Sequence, residues 1–596
     1  MKSEKFYVLY VNQFFSIENG GRSDITQHVK QKKHLLAVSS SSSNKVTNFF
    51  TNVQSTNESK RIAAEEGLFA YHTIIHNHSF RSMDCTTSII KKIYEKKFSC
   101  ARTKCESIIV NVIAPFAIQQ MLDELKSVKF LTIMVDTSNH KNLKLVPILI
   151  RYFNPQEGVK IKVLEFMNLK GETSNILSDY ILNVLKKYSL LNNVVAFSGD
   201  NCNTNFGGVS RKGTNNVFAI LNEKLKRNIS GIGCAAHILH NAMHSSADIL
   251  PTDIELIINK IFQYFHIYTV RIEKLKDFCD FVSIEYKNIL GSVKTRWLSL
   301  QPAVSRIIDL YPALKSYFMS QEKCPTVLRT FFNDPISMAW LYFVQSQLKV
   351  VCDTIKRIEG DHISAGEVYE EIEVLCGKIK NRKNQHFFTS ELAQLISDLE
   401  KNKLYSEKKF IEITDEFYDT FLSYVEKWGY HFEPLKVFRW IHILDFPIWS
   451  DIQESFKYII KNNPTLKFDE DELFDEFNHV INVMKVKMQN WKNGSKTKDR
   501  WCEIFKILEK NNISIKYFTV ILEYSMAIPG TNASVERIFS ITNVLWTDEK
   551  SRFLVDTIRS IMIVKQHFKK CFLYRISYIS LRKSTIIKAN YFFRKI

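Results

Sequence analysis

The stretch "VVAFSGDNCNTNFGG" (residues 194–208) opens as an apolar run and stops abruptly on Asp200, after which small, polar, turn-prone residues take over. A short β-branched and aromatic run bounded by Asn and Gly has the pattern of a buried strand. Aspartate is a common turn residue because its side chain accepts hydrogen bonds from nearby backbone amides. A carboxylate presented at the end of a buried strand can also be one leg of a metal site, and that reading requires partners elsewhere in the chain.

The preceding residues supply a setting for such a site. "FLTIMVDTS" (130–138), "LKLVPILIRYF" (143–153) and "VKIKVLEFMNL" (159–169) are consecutive strand patterns, and "NPQEG" (154–158) supplies the turn between the last two. "SNILSDYILNVLKKYSLL" (174–191) carries apolar residues at helical spacing and leads into the strand that ends at Asp200. Hairpin-linked strands, a helix, and a strand set beside the first make the opening of an RNase H-like α/β layer. The first and last of these strands end in Asp136 and Asp200. Adjacent strands lie about 4.8 Å apart, so the two carboxylates can share one metal pair.

After "GIGCAAHILHNAMH" (231–244) the pattern is helical to about Arg500, without a return of strand patterns. The expected organisation is a small N-terminal unit (1–38), a Ser-rich linker (39–59), a helical region (60–126), the first part of the α/β core (127–245), a helical insertion (246–500), closing helices (501–570) and a basic aromatic tail (571–596).

Composition agrees with a folded, multi-unit chain. A length of 596 residues is too great for one core, and 45% apolar with 13% aromatic residues excludes a disordered protein. Only 12 Pro and 18 Gly favour long helices with few breaks. Lys and Arg number 81 against 62 Asp and Glu, and the net charge of +19 attracts polyanions, of which nucleic acid is the commonest and an acidic membrane surface the other. No apolar run reaching the roughly 20 residues of a spanning helix is evident, so no membrane partner is expected. Asn12 and Gln13 interrupt the apolar stretch from Phe6 to Phe15, which argues against a signal peptide. The 11 Cys include no C-x-x-C pair, the usage of a reducing compartment, nucleus or cytosol.

Near the C-terminus stands "YSMAIPGTNASVERIFSITNVLWTDEKSRFLVDTIRSIMIVK" (524–565), in which "PGTNAS" supplies a turn and capping residues and "SVERIFSITNVL" begins an amphipathic helix. This segment resembles the C-terminal dimerisation region of the hAT transposase superfamily, and the resemblance extends over most of the chain. The family's first catalytic Asp falls on Asp136 in "MVDTS", the second on Asp200 in "SGDNCNTN" and the Glu on Glu536 in "SVERIFS". Its C-x-x-H element falls on Cys234 and His237 in "GCAAHILH", and its Arg-Trp element on Arg296 and Trp297 in "KTRWLSL".

The resemblance implies an RNase H-like core interrupted by an all-helical insertion, and a nuclear enzyme that cleaves and joins DNA at transposon ends. It implies two divalent ions, Mg²⁺ or Mn²⁺, held by Asp136, Asp200 and Glu536, with DNA contacts at Cys234, His237, Arg296 and Trp297. The implied partners are transposon-end and target DNA and a second copy of the chain, as a homodimer or higher homo-oligomer. Hard divalent ions take oxygen ligands, and a pair about 3.5–4 Å apart serves both the attacking and leaving oxygens. A Trp in such a site suits stacking on an unpaired base.

Blander readings stand beside several of these. Arg296 and Trp297 equally fit a buried indole with an Arg reaching to solvent. His237, His240 and His244 share one helical face, although only the first belongs to the family element. "FDEDELFDEF" (468–477) reads as a solvated helix face with Leu473, Phe474 and Phe477 turned inward. "RFLVDTIRSIMIVKQHF" (552–568) is apolar beyond the needs of a surface helix, which fits either dimerisation or burial in the chain's own core.

The N-terminal "FFSIENGGRSDITQHVKQKKHLLAVS" (14–39) resembles the second half of a BED-type zinc finger with His28 and His34 as ligands, but Val8 and Val11 stand where that pattern needs Cys. Two His cannot complete a structural Zn²⁺ site, so this unit is a degenerate remnant. The retained Asp136/Asp200/Glu536 set favours an active transposase. The lost Cys pair favours a catalytically silent, domesticated nuclear protein that binds DNA and dimerises.

Overall fold

The computed structural model describes residues 57–568 apart from 212, 292–296, 443–444, 492–495, 549 and 551, together with residues 26, 30 and 31 and two N-terminal strands. Those strands, β1 (Lys5–Val8) and β2 (Gln13–Ser16), pair antiparallel. His28, His34, Arg296, most of the Ser-rich linker and the 571–596 tail lie outside the described residues. Trp297 opens the helix Trp297–Ser320, and its side chain is likewise outside them.

A mixed sheet of six strands forms the centre of the α/β part. It comprises β3 (Leu131–Val135), β4 (Ser138–His140), β5 (Leu143–Asn154), β6 (Gly158–Leu169), β7 (Val194–Gly199) and β8 (Ser230–Gly233). The order is β4-β5-β3-β7-β8, and β6 lies along the other side of β5. β3, β5 and β6 pair antiparallel in sequence, whereas β7 runs parallel to β3 and β8 parallel to β7. The short strands β4 and β8 are absent from the expectation. "SNH" and "SGIG" are too short and too polar or glycine-rich to carry a periodic signal, and pairing with long neighbours makes them strands.

Both faces of the sheet are covered, which is why its strands read as nearly unbroken apolar runs. Met134, Leu145, Leu149 and Phe166 face Ile558, Ile561 and Met562 of the helix Val555–His567, together with residues of the N-terminal helices. Ile133, Val146, Ile148 and Ile150 face Leu177, Ile181 and Val184 of the helix Ser174–Lys187. Glu165 of β6 is buried and receives Arg559 from the first face and Lys187, 2.9 Å away, from the other helix. Its carboxyl is held below the ordinary range by these two cations, against the upward push of burial.

The helix Arg102–Leu125, 24 residues with a π-turn at Ile109–Ile113, corrects the reading that no apolar run is long enough to span a membrane. Length and composition would allow it. Ile108, Ile109, Ile113, Ala117 and Met121 are instead buried in the cores on the two sides of the sheet. The helix Val555–His567 gives up its apolar side in the same way: Ile558, Ile561, Met562 and Val564 are buried within the chain.

Between Ala247 and Lys516 the described residues form helices only, around one large core that includes Trp340, Phe410, Trp440 and Trp501. The helix Glu470–Lys487 departs from its predicted solvated form. Leu473 and Phe477 are buried, but Phe474 is 43% exposed, resting edge-on against Trp449. Glu476 is buried and accepts the backbone N–H groups of Lys516, Tyr517 and Phe518 at 2.5, 3.2 and 2.7 Å. A carboxylate here satisfies amides with no partner inside the helix Tyr517–Ala527 and complements the positive end of its dipole.

That capped helix packs on β5, and the joint between sheet and helical part is made there by Arg151. Arg151 lies in mid-strand and is 1% exposed. Its guanidinium donates to the carbonyls of Met526, Asp361 and Ile363 at 3.0, 3.0 and 2.7 Å. Burial lowers its pKa to about 10, still well above neutrality, so a full positive charge sits on three carbonyl oxygens.

Replacing Arg151 by Met strands those carbonyls in a dry interior, at a cost of about 3–5 kcal/mol. The expected outcome is a clear fall in thermal midpoint together with early proteolytic nicking near Asp361 and Met526. An unaltered midpoint and digestion pattern would contradict this role.

Candidate functional site

The register of the parallel strands sets the first two residues. Met134 of β3 is level with Ser198 of β7, and continuing the ladder by two residues brings Asp136 opposite Asp200. β3 ends at Val135 and β7 at Gly199, so both carboxylates follow directly at the C-terminal ends of these strands. The Asn-rich loop holds Asp200. The side-chain amide of buried Asn205 donates to both its carboxylate and, at 3.3 Å, its carbonyl. Gly207, with φ of 71°, ends the short helix Asn203–Phe206 in the left-handed conformation and turns the loop back.

Cys234 and His237 arrive at the same rim from β8. Gly233 ends that strand, and a Cβ there would lie 1.8 Å from Asn201 Oδ1 and would displace the Asn201 amide. Asn201 in turn donates to the carbonyl of Cys234 at 3.1 Å, and the Cys234 N–H donates to Gly199 O at 3.1 Å. The helix Ala235–Ala247 starts here and carries His237 on its first turn. His240, farther along, is buried, and His244 is exposed beside Asp248 at 3.2 Å, so the three His do not act together.

Glu536 comes from more than 300 residues away, delivered by the strap 528–534. Ile528 accepts from the Ala365 N–H and Gly530 from that of Ala235, at 3.1 and 3.3 Å. Gly530 passes so close to Val368 that a Cβ would lie 2.0 Å from it. Asn532 makes the decisive contacts. Its side-chain amide donates to Val135 O at 2.8 Å, one residue before Asp136, and its backbone N–H donates to Cys234 Sγ at 3.3 Å. The helix Ala533–Leu545 begins immediately after, with Glu536 in its first turn. Ser534 Oγ donates to Asp361 Oδ1 at 2.6 Å and Arg537 pairs with the same carboxylate, which fixes the rotation of this turn.

The structure thus brings Asp136, Asp200, Glu536, His237 and Cys234 to one rim. Glu536 Oε1 stands 3.7 Å from His237 Nδ1, a buried atom without a hydrogen-bond partner. Among the described residues, Cys234, His237 and Glu536 offer ligand atoms within 4.8 Å of one another. The Asp136 and Asp200 carboxylates are not part of that tight set; Asp136 acts on His237 electrically, and Asp200 acts on Asp136. Cys234 is fully buried and receives Asn532, which corrects its reading as a DNA-contacting residue: its part is to seat the strap.

Charge is poorly balanced at this rim. Burial, then repulsion from Asp200, pushes the Asp136 carboxyl up from 3.8 to about 7, with Glu536 adding to the rise and the Thr137 amide and His237 opposing it. His237 is pushed up from 6.5 to about 10 by the Cys234 sulfur and then by Glu536 and Asp136, against burial. The imidazolium therefore contributes stability that is present below pH 6.5 and lost as pH rises through about 10.

The residues unforeseen from sequence are those that hold this set: Asn205, Asn532, Asp361 and Arg537, with Glu172, which accepts from Thr137 Oγ1 at 3.1 Å. The Asn-rich loop and the "PGTNAS" turn mark two of them, but their partners are too distant in sequence to be inferred. No protein-family model matches the chain, and no curated protein matches it.

Asp136 has the same sign as His237, in a lower pH window. Because the folded state holds its proton more tightly, the stability it contributes falls as pH rises from about 4 to about 7. Asp136→Asn in chelator should therefore be more stable than the wild type at pH 8, by on the order of 2–4 kcal/mol, and no more stable at pH 4. Paired denaturation curves at the two pH values check this, and a difference independent of pH would refute the assigned cause.

Proposed function

We propose that the chain is a hAT-type DNA transposase or a derivative of one, acting in the nucleus, with the mixed sheet as an RNase H-like core and the helical part between Ala247 and Lys516 as its insertion. The observation that carries this reading is the meeting of Asp136, Asp200 and Glu536 at one rim, where Asp200 and Glu536 both push the Asp136 carboxyl upward. Carboxylates held together against their own repulsion, with oxygen donors in excess, suit hard divalent cations. Mg²⁺ or Mn²⁺ bound there would supply charge for phosphodiester cleavage at neutral pH.

The chain's own groups have distinct parts in this reading. Asp136 and Asp200 would hold the ions, Asp200 oriented by Asn205 and Asp136 by the Thr137 amide. Glu536 would complete the oxygen set from the helix Ala533–Leu545, facing His237. An imidazolium at His237 can donate to a phosphate oxygen beside the carboxylates, which favours an anionic backbone there. The excess of Lys and Arg, net charge +19, supports long-range attraction of transposon-end and target DNA. A homodimer remains part of the proposal, carried by the family resemblance and not by the buried C-terminal helix. A catalytically silent DNA-binding derivative is the second reading, favoured by Val8 and Val11 at the positions of the finger's Cys pair.

Purified protein given Mg²⁺ or Mn²⁺ and DNA bearing the inverted repeats that flank its gene should nick at the repeat ends. Asp200→Asn should lower the rate at least about a thousandfold while leaving binding in place. Tight binding with no metal-dependent strand break in the wild type would leave the silent derivative.

A further inference from the structure

A second cluster of ligating side chains stands at the C-terminal end of the helix Asn57–Ile75 and shares no residue with the sheet rim. His72 lies in the last turn, His76 follows one turn later, and the chain then reverses at Asn77, whose φ is 58°. The reversal is a Schellman-type cap, in which the His78 N–H donates to Thr73 O at 2.8 Å. It brings His78 back onto the side occupied by the other two. The ring centroids of His72 and His76 are 4.4 Å apart, those of His72 and His78 5.6 Å, and those of His76 and His78 6.0 Å.

Those separations can be compared with what a metal would require. An imidazole nitrogen binds Zn²⁺ at about 2.0–2.1 Å, which puts each ring centroid about 3.1 Å from the ion and three tetrahedrally arranged centroids about 5 Å apart. The observed centroid spacings bracket that value, and the rings must turn to bring three nitrogens to one point, because as they stand the three residues do not offer ligand atoms within 4.8 Å of one another. All three rings are exposed, and among the described residues none makes a side-chain hydrogen bond or ion pair, so these rotations meet no competing partner. A pair of His at i and i+4 on one helix face is itself a common zinc-binding arrangement.

The backbone beneath the rings is held from elsewhere. Lys550 Nζ donates to Asn77 O at 2.8 Å and Lys565 Nζ to Ile75 O at 3.1 Å, and the Phe80 ring meets Phe553 edge-on at 5.6 Å. The two lysines add positive charge near the cluster, while the carbonyl end of the helix offers the negative potential that favours a cation.

We propose that His72, His76 and His78 form a binding site for a borderline divalent transition-metal ion, Zn²⁺ foremost, with the fourth position left to water. Imidazole ligands select Zn²⁺, Ni²⁺ or Cu²⁺ over Mg²⁺ and Ca²⁺. The ion would clamp the end of the first long helix to the turn on which the segment 550–565 rests.

The full chain, stripped with chelator and dialysed, is titrated with ZnCl₂ by calorimetry and with Co²⁺ by absorption. The wild type should take up Zn²⁺ at this site, and the double variant His72→Ala/His76→Ala should lose that uptake. His78→Ala alone should weaken it at least about tenfold, the scale on which even residues supporting metal ligands act. Co²⁺ bound at this site should show visible bands without the near-ultraviolet thiolate absorption that binding through Cys234 would produce. Circular-dichroism melts of the variants without metal should match the wild type, because the three side chains are exposed, and Zn²⁺ should raise the midpoint of the wild type alone. No uptake by the wild type, uptake of equal strength in the double variant, or a spectrum carried wholly by thiolate would each overturn the proposal.

Discussion

A buried guanidinium lies at the junction of three distant parts of this chain. Arg151 belongs to the central sheet, Asp361 and Ile363 to the helical part, and Met526 to the end of the helix that leads into the strap. Removing a charge from water is costly, and the three carbonyls recover that cost only if all three segments meet at once. The same turn that presents the carbonyl of Asp361 to Arg151 presents its carboxylate to Ser534 and Arg537. Glu536 lies between those two residues, so its position at the sheet rim is coupled to a contact made in the interior.

The rim therefore has an asymmetric support. Asp136 and Asp200 are placed by strand register and by hydrogen bonds from Thr137 and Asn205 close by in the chain. Glu536 is placed by the strap, through Asn532 on Val135 and Cys234 and through Gly530 on Ala235. The electrical state follows from this geometry. The Asp136 carboxyl, desolvated and crowded by its neighbours, resists ionisation, and the imidazole beside it holds its proton. Such a site has a standing preference for added positive charge, which is the physical basis of the proposed metal chemistry.

Much of the arrangement was legible because it is written in local patterns. Alternating or continuous apolar runs marked β3, β5, β6 and β7, and the abrupt polar stops marked Asp136 and Asp200. Glycine and proline in "PGTNAS" marked the strap as a turn. Less was visible where a neighbour supplies the reason. Arg151 sits within "LVPILIRYF", where a cation in an apolar run was itself a signal of a buried partner, but nothing nearby names Met526 or Ile363 as that partner. Glu476 looked like one carboxylate among many in an acidic helix, and only packing singles it out as the cap of another helix.

By itself, then, the sequence determined most of the segments that become strands and helices, where the carboxylates fall along them, and a net charge of +19, because periodicity, turn chemistry and net charge act over a few residues or over the sum of all. Only the tertiary structure decided which of those groups meet. Apposition of Glu536 with His237, the burial of Cys234, the enclosure of the C-terminal helix and the gathering of three imidazoles at one turn all depend on long-range packing. Burial and hydrogen-bond satisfaction select those contacts, and these are properties of the folded neighbourhood and not of any segment in it.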